Sequence, residues 1–228
     1  MKQINPTASK ARKIRKIRKK KFSIIPPSEL FEYDELIDTD NIGSYIPRLE
    51  KADIVAVCSM MMTHKTQNVK QLIKTGSYKT VLSVTYRRTL ARATHLDFND
   101  LNFTLYLEKE GQIIKDDKVI CSIDSLHKYR GKPDLLILDE FDSVLTHLVS
   151  FAKEKKSIFD TLVELIQNSG KVIVADANLK NSHIERINEM SSNRTLWRIK
   201  NDFQTFTQRK VKFAHPKRLK KLILLLIV

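Results

Sequence analysis

The stretch Asp134-Leu135-Leu136-Ile137-Leu138-Asp139-Glu140-Phe141-Asp142 decides how the chain reads. Four apolar residues run unbroken into adjacent carboxylates, Asp139 and Glu140. A short run that is apolar at every position suits a strand buried on both faces of a parallel sheet. Open α/β sheets gather their ligands at the carboxyl ends of such strands. In nucleotide-hydrolysing proteins an acid at this point holds Mg²⁺, directly or through water, and a following Glu can orient and deprotonate the attacking water. The plainer alternative is an acidic start to the next helix, because Asp and Glu are stabilised at the positive end of the helix dipole.

Towards the carboxyl terminus, Phe141, Val144, Leu145, Leu148 and Ala152 recur at the spacing of one helical face. Ile158, Leu162, Leu165 and Ile166 predict a second helix, ended by Gly170. Lys171-Val-Ile-Val-Ala-Asp176 repeats the opening pattern, a strand with an acid at its end, followed by Ala177. Ile184, Ile187 and Met190 predict another helix, and Thr195–Ile199 a last strand. Towards the amino terminus, strands are expected at Lys118–Ile123, Phe103–Leu107, Lys79–Thr85 and Asp53–Cys58. Strands alternating with helical patterns predict βαβ units, and right-handed crossovers bring the strand ends to one edge. The expected fold is therefore α/β, with a mostly parallel sheet flanked by helices. Thr66, Arg87, Ser125, Asp139 and Asp176 each follow a strand and are expected to converge.

After Asp53–Cys58 comes Ser59-Met-Met-Met62-Thr63-His64-Lys65-Thr66, then a helical pattern through Val69, Leu72 and Ile73. Strand, loop, Lys-Thr and helix is the layout of a phosphate-binding loop, in which Lys reaches the β/γ phosphates and the Thr hydroxyl reaches Mg²⁺. Glycines normally allow positive φ and close approach of backbone N–H groups to phosphate. His64 stands where one is usual, although His is among the residues that tolerate a left-handed conformation. Arg87 and Arg88 after the next strand suit a nucleic-acid backbone, or an ordinary basic helix start. Ser125 suits a helix cap, and His127 a surface or capping position.

The net charge of +15 is uneven. Residues 1–21 hold ten Lys/Arg and no acid, and residues 209–228 hold seven and no acid. Subtracting those 17 from 41 leaves 24 basic residues against all 26 acids, so the body is close to neutral. The reading divides the chain into a basic arm (1–21), a Pro-punctuated lead-in with one short helix (22–50), an α/β lobe (51–207) and a basic, then apolar, tail (208–228). The dense run Lys10–Lys21 suits nuclear import or phosphate contact, against a solvated tail. Cys58 and Cys121 lie in apolar runs and read as core thiols of an intracellular protein. No Cys/His metal spacing is present, and Leu222–Val228 is too short to span a bilayer.

The order of five segments resembles the first motor lobe of a superfamily 2 helicase. More narrowly, it is similar to the herpesvirus-type origin-of-replication-binding protein family. The carrying segments are Ser59-Met-Met-Met-Thr-His-Lys65-Thr66, Val84-Thr-Tyr-Arg87-Arg88-Thr-Leu-Ala91, Ile123-Asp-Ser125-Leu126-His127, Leu138-Asp139-Glu140-Phe-Asp-Ser143 and Val172-Ile-Val-Ala-Asp176-Ala177. The resemblance implies a RecA-like fold and Mg·ATP hydrolysis coupled to opening of origin DNA. It implies Ser59, Thr63, His64, Lys65 and Thr66 around the nucleotide, with Thr66 and Asp139 at Mg²⁺. Glu140 and Lys65 become the catalytic pair, Arg87, Arg88 and Ser125 the DNA contacts, and Asp176 and Ala177 the link from hydrolysis to motion. The family's loop reads closer to Met-Gly-Thr-Gly-Lys-Thr, so Met62 and His64 replace glycines. Such helicases also need a second lobe that supplies an arginine, and no such motif is read after residue 200. The expected partners are therefore DNA, a second lobe or replication proteins, and no membrane. A non-catalytic DNA-binding or scaffold remnant is the alternative from another class. A third reading is an unrelated α/β enzyme using Asp139 and Asp176 as a metal pair, which leaves Lys65-Thr66 without a role.

Overall fold

The computed structural model describes residues 30–204, apart from 42, 110 and 151–153. The basic arm, the tail from 208 onward and Ala152 lie outside the described residues. The elements, in chain order, are β1 (Glu35–Ile37), α1 (Ile46–Leu49), β2 (Ile54–Ser59), α2 (Lys65–Thr75), β3 (Val81–Thr85), α3 (Arg88–Asp97) and β4 (Thr104–Leu105). They continue with β5 (Lys118–Ser122), β6 (Leu135–Asp139), α4 (Phe141–Ser150), α5 (Lys155–Asn168), β7 (Lys171–Asp176), α6 (Asn181–Ser191) and β8 (Leu196–Asn201). Short 3₁₀ turns cover Asn99–Leu101, Tyr106–Lys109 and Ile123–Lys128.

All eight strands form one parallel sheet in the order β1-β8-β2-β7-β6-β3-β5-β4, the RecA-like α/β arrangement. The central strands are apolar throughout because helices cover both faces: Ile54–Val57, Leu135–Leu138 and Val172–Ala175 are all buried. Helices join the sheet through stripes such as Val69, Leu72 and Ile73 on α2 and Ile158, Leu162, Leu165 and Ile166 on α5. Because every strand points the same way, Ser59, Thr85, Ser122, Asp139, Asp176 and Asn201 all end at one edge of the sheet.

The lead-in is part of this sheet. Glu35–Ile37 pairs in parallel with Ile199–Asn201, an edge strand that the sequence reading did not separate, beside the expected short helix at Ile46–Leu49. The expected strand at Phe103–Leu107 is only two residues long before the chain tightens into a 3₁₀ turn. Gly170 does not cap α5 through a left-handed turn. Ser169 closes that helix, its N and Oγ both donating to Leu165 O at 3.0 and 2.5 Å. Gly170 is needed for proximity instead, since a Cβ there would lie 2.7 Å from Asp134 O.

Carboxylates at the two edges of the sheet behave differently. At the amino edge, Asp134 accepts from Lys79 N and Thr80 N, both at 2.9 Å, and Asp53 accepts from Thr195 Oγ1 at 2.7 Å. These hydrogen bonds hold both acids below the usual carboxylate range. At the carboxyl edge, burial raises Asp139 and Glu140 above it. The first pair ties strand starts together; the second has the perturbation expected of acids placed for chemistry.

Candidate functional site

The loop from β2 to α2 makes one side of the carboxyl edge. Met62 and His64 have φ of 63° and 57°, so the two residues standing in for glycines both adopt left-handed backbone. Such strain costs on the order of 1–3 kcal/mol per residue and persists only where the surroundings enforce it. Glu140, at φ 55°, is a third case. The other non-glycine residues at positive φ among those described are Asn102, Ser192 and Asn193, outside the site, two of them asparagines that tolerate this region well. Of the residues poorly suited to this region, Met62 and Glu140 lie at this edge and Ser192 lies elsewhere.

Lys65 begins α2 and turns back under the loop, donating from Nζ to Ser59 O at 2.5 Å and Met60 O at 2.8 Å. Burial lowers its pKa, while Asp139, Glu140 and Asp176 oppose that shift through their charge. The lysine therefore feels the charge of three carboxylates, while its hydrogen bonds go to loop carbonyls. Burial is also the main cause of the upward shifts of Asp139 and Glu140, with Lys65 pulling both back down. Thr66 and Asp139 line one very small, mostly apolar-walled cavity together with Lys65, Val69, Phe98 and Ile137.

Ser59, Thr63 and His64 shape the loop by different means. Ser59 Oγ and Thr63 Oγ1 are 2.6 Å apart, and Thr63 Oγ1 donates to Met60 O at 2.7 Å. His64 has an exposed side chain, and its carbonyl accepts from Asn68 N at 2.8 Å and Asn68 Nδ2 at 2.9 Å. Asp176 joins two segments: Oδ2 accepts from Asp142 N at 2.9 Å, at the start of α4, and Oδ1 accepts from Asn178 N at 2.7 Å. Asp142 Oδ1 in turn lies 3.2 Å from His183 Nε2 on α6. Ala177 O accepts a hydrogen bond from Cys58 Sγ at 3.7 Å, which closes β7 against β2.

The Arg87, Arg88 and Ser125 group lies further along the same edge. Arg88 and Ser125 line one cleft, to which Lys109 and Lys128 add two cations. Tyr106, whose buried hydroxyl has no hydrogen-bond partner among the described residues, lines it as well. Arg87 stands beside the cleft, its guanidinium 4.7 Å from the Tyr86 ring centroid. Ser125 falls inside a 3₁₀ turn and does not cap a helix, and His127 is half-buried, not a surface residue. Lys109 and Lys128 were not singled out from the sequence because lysines are common on any surface. Asn68 left a signal, being a polar residue on the otherwise apolar α2 stripe with Val69, Leu72 and Ile73.

Residues 43–224 match the model of a family described as origin of replication binding protein. An uncharacterized protein of Acanthamoeba polyphaga mimivirus, named as an inferred helicase, is 29% identical over 182 residues, which is 70% of this chain and 17% of that protein. The replication origin-binding protein of human herpesvirus 7 (strain JI) is 35% identical over 124 residues, 52% of this chain and 16% of that protein. Its counterpart in human herpesvirus 6A (strain Uganda-1102) is 32% identical over 127 residues, 54% of this chain and 16% of that protein. The chain spans less than one-fifth of the length of each of these relatives. Among the described residues, no helix is long and apolar enough to cross a membrane.

Proposed function

Because the chain belongs to the origin of replication binding protein family, we propose that it carries the ATP-binding lobe of a helicase-like replication protein, coupling Mg·ATP hydrolysis to the opening of origin DNA. The observation that carries this reading is Lys65 at the start of α2, with Nζ held under the β2–α2 loop on Ser59 O and Met60 O and its side chain lining one cavity with Thr66 and Asp139. Among the described residues, no group of three carboxylates or other ligands stands close enough to hold a metal ion, so a cation here would rest on fewer protein groups. Mg²⁺ is typically held by one or two protein groups, with phosphate oxygens and waters completing its shell. Thr66 and Asp139, which line one cavity, would be those two groups, one hydroxyl and one carboxylate oxygen donor. When bound, Mg²⁺ would offset charge on the transferring phosphoryl group. Lys65 would exchange its contacts with Ser59 O and Met60 O for phosphate oxygens, and Glu140 would take the proton of the attacking water. Asp176 would pass a change at this end of the sheet to α4 and the segment after β7, through its bonds to Asp142 N and Asn178 N.

The test is Mg-dependent binding of a fluorescent ATP analogue across pH. Binding requires Asp139 ionised and Lys65 protonated. Burial raises Asp139, so affinity should fall on acidification while the pH is still above the usual carboxylate range. Burial lowers Lys65, so affinity should also fall on the alkaline side, below the usual lysine range. The expected profile is a bell narrower than unperturbed groups would give. A flat profile, or binding unaffected by chelating Mg²⁺, would sink the assignment.

The same reading takes the Arg88–Ser125–Lys109–Lys128 cleft as a contact for the DNA backbone. Arg88→Ala and Lys128→Ala should each weaken DNA binding roughly equally for all sequences and reduce the salt slope by about 1. Salt titrations with unrelated oligonucleotides check this; an unchanged slope in both variants removes the cleft from the DNA path. A second reading, a non-catalytic DNA-binding remnant, is favoured by Met62 and His64 in place of glycines. It predicts that deleting residues 1–21 removes most DNA affinity, with no nucleotide bound. The basic run 10–21 also underlies the proposed nuclear location, which fusion of that run to a fluorescent reporter tests directly.

A further inference from the structure

Met62 and His64 are held at positive φ without glycine's freedom, so some part of the fold must enforce the loop. A set of buried polar side chains surrounds it: Tyr45, Ser59, Thr63, Asn68 and Asn201, each no more than 3% exposed. Their hydrogen bonds can be given a direction. Thr63 Oγ1 donates to Met60 O at 2.7 Å, which uses its only proton. Ser59 Oγ, 2.6 Å from Thr63 Oγ1, must then be the donor to it. Tyr45 Oη, 3.1 Å from Ser59 Oγ, must donate to Ser59 in turn. Asn201 Nδ2, at the end of β8, donates to Tyr45 Oη at 2.5 Å. One chain of donors therefore runs from Asn201 through Tyr45, Ser59 and Thr63 into the loop's own carbonyl.

Asn68 supplies a second tie. Its Nδ2 donates to the carbonyl of His64, the strained residue itself, at 2.9 Å. Its Oδ1 accepts from Gly43 N at 2.7 Å and Tyr45 N at 3.2 Å. The amide thus fastens the loop to the segment that carries Tyr45. Asn201 anchors the far end, its Nδ2 also donating to Thr39 O at 2.7 Å.

We propose that Tyr45, Asn68 and Asn201 are positioning residues that hold the 60–64 loop in its nucleotide-receiving shape, replacing the conformational freedom that glycines would give at positions 62 and 64. This rests on the reading of that loop as the nucleotide site. Without the ties, Met62 and His64 relax toward ordinary backbone, only a fraction of molecules presents the receptive loop, and apparent affinity falls by that fraction. Glycines at 62 and 64 remove the penalty, so the ties matter less.

The experiment is a double-mutant cycle. Tyr45→Phe deletes one hydroxyl and keeps the ring. It is made in the natural chain and in the Met62→Gly, His64→Gly background, and binding of a fluorescent Mg·ATP analogue is measured in all four proteins. Amide hydrogen exchange of residues 60–66 is followed without nucleotide. In the natural chain Tyr45→Phe should weaken binding about three- to tenfold, the span one hydrogen bond implies, and speed exchange in the loop. In the glycine background the loss should shrink to less than about twofold on the same scale. Equal losses in both backgrounds overturn the proposal, as does unchanged exchange at 60–66. If the natural chain binds no nucleotide, the nucleotide reading fails by itself. The exchange comparison across the four proteins then still decides whether Tyr45 holds the loop.

Discussion

Replacing Lys65 by alanine is expected to lower affinity for Mg·ATP by about 10- to 10²-fold, the range that one or two charge-assisted hydrogen bonds imply. Lys65 Nζ is already directed under the loop, on Ser59 O and Met60 O, contacts that it would exchange for phosphate oxygens. It is also the cation that moderates Asp139 and Glu140. With Lys65 gone, both acids should shift further upward, and residual Mg-dependent binding should disappear at a higher pH than in the natural chain. His64→Gly is the informative companion, because it removes strain without touching charge and should maintain or improve affinity. The measurement is fluorescence anisotropy of the nucleotide analogue for the natural chain and both variants. Loss of binding in Lys65→Ala with retention in His64→Gly supports the altered loop as a working phosphate cradle. If the natural chain binds nothing and His64→Gly restores binding, the fold has kept its site but lost its ligand, and the DNA-binding remnant becomes the better reading.

What the sequence disclosed follows from how local each signal is. Strands β2, β6 and β7 were legible because burial on both faces demands unbroken apolar runs. The acids ending β6 and β7 were legible as residue types, although Asp139-Glu140 also suited an acidic start to the next helix. Strand β1 was not, since three residues at a sheet edge leave almost no pattern, and Phe103-Thr-Leu-Tyr-Leu107 suggests a longer β4 than the two residues that pair. The departure at Met62 and His64 was visible as residue types. That both nonetheless hold positive φ was not, because enforcement comes from Tyr45 and Asn201. Tyr45 lies 14 residues from Ser59 and 156 from Asn201 along the chain, and the three meet only once β8 is placed next to β2. Gly170 shows the same limit: its position after a helix suggested a cap, whereas its real neighbour is the carbonyl of Asp134, just before β6.

Glu140→Gln should separate binding from chemistry most sharply, with hydrolysis falling about 10²- to 10⁴-fold, the usual contribution of a positioned general base. Three features point to Glu140 over its neighbours. Its backbone is at φ 55°, a strained geometry that fixes where the side chain leaves the main chain. Two hydrogen bonds clamp that geometry: Glu140 N donates to Asp139 Oδ1 at 3.1 Å, and Val144 N donates to Glu140 O at 2.9 Å as α4 begins. Burial, with the charges of Asp176 and Asp139, then lifts the carboxylate above its ordinary range, toward the neutral pH at which a base is most effective. Glutamine preserves shape and hydrogen bonding but cannot accept the proton, so nucleotide affinity should change by less than about threefold, within what one altered hydrogen bond costs. The assay must be single-turnover with protein in excess, because a transition-state arginine supplied by another lobe is worth about 10³–10⁵ in rate and is not part of the described site. For the same reason the chain alone should show no robust ATP-dependent strand separation. Equal hydrolysis by the natural chain and Glu140→Gln would remove Glu140 as the base. Binding without measurable hydrolysis in either protein would instead make this lobe a nucleotide-gated contact for DNA, with Asp176 still linking the acidic pair to the segment after β7.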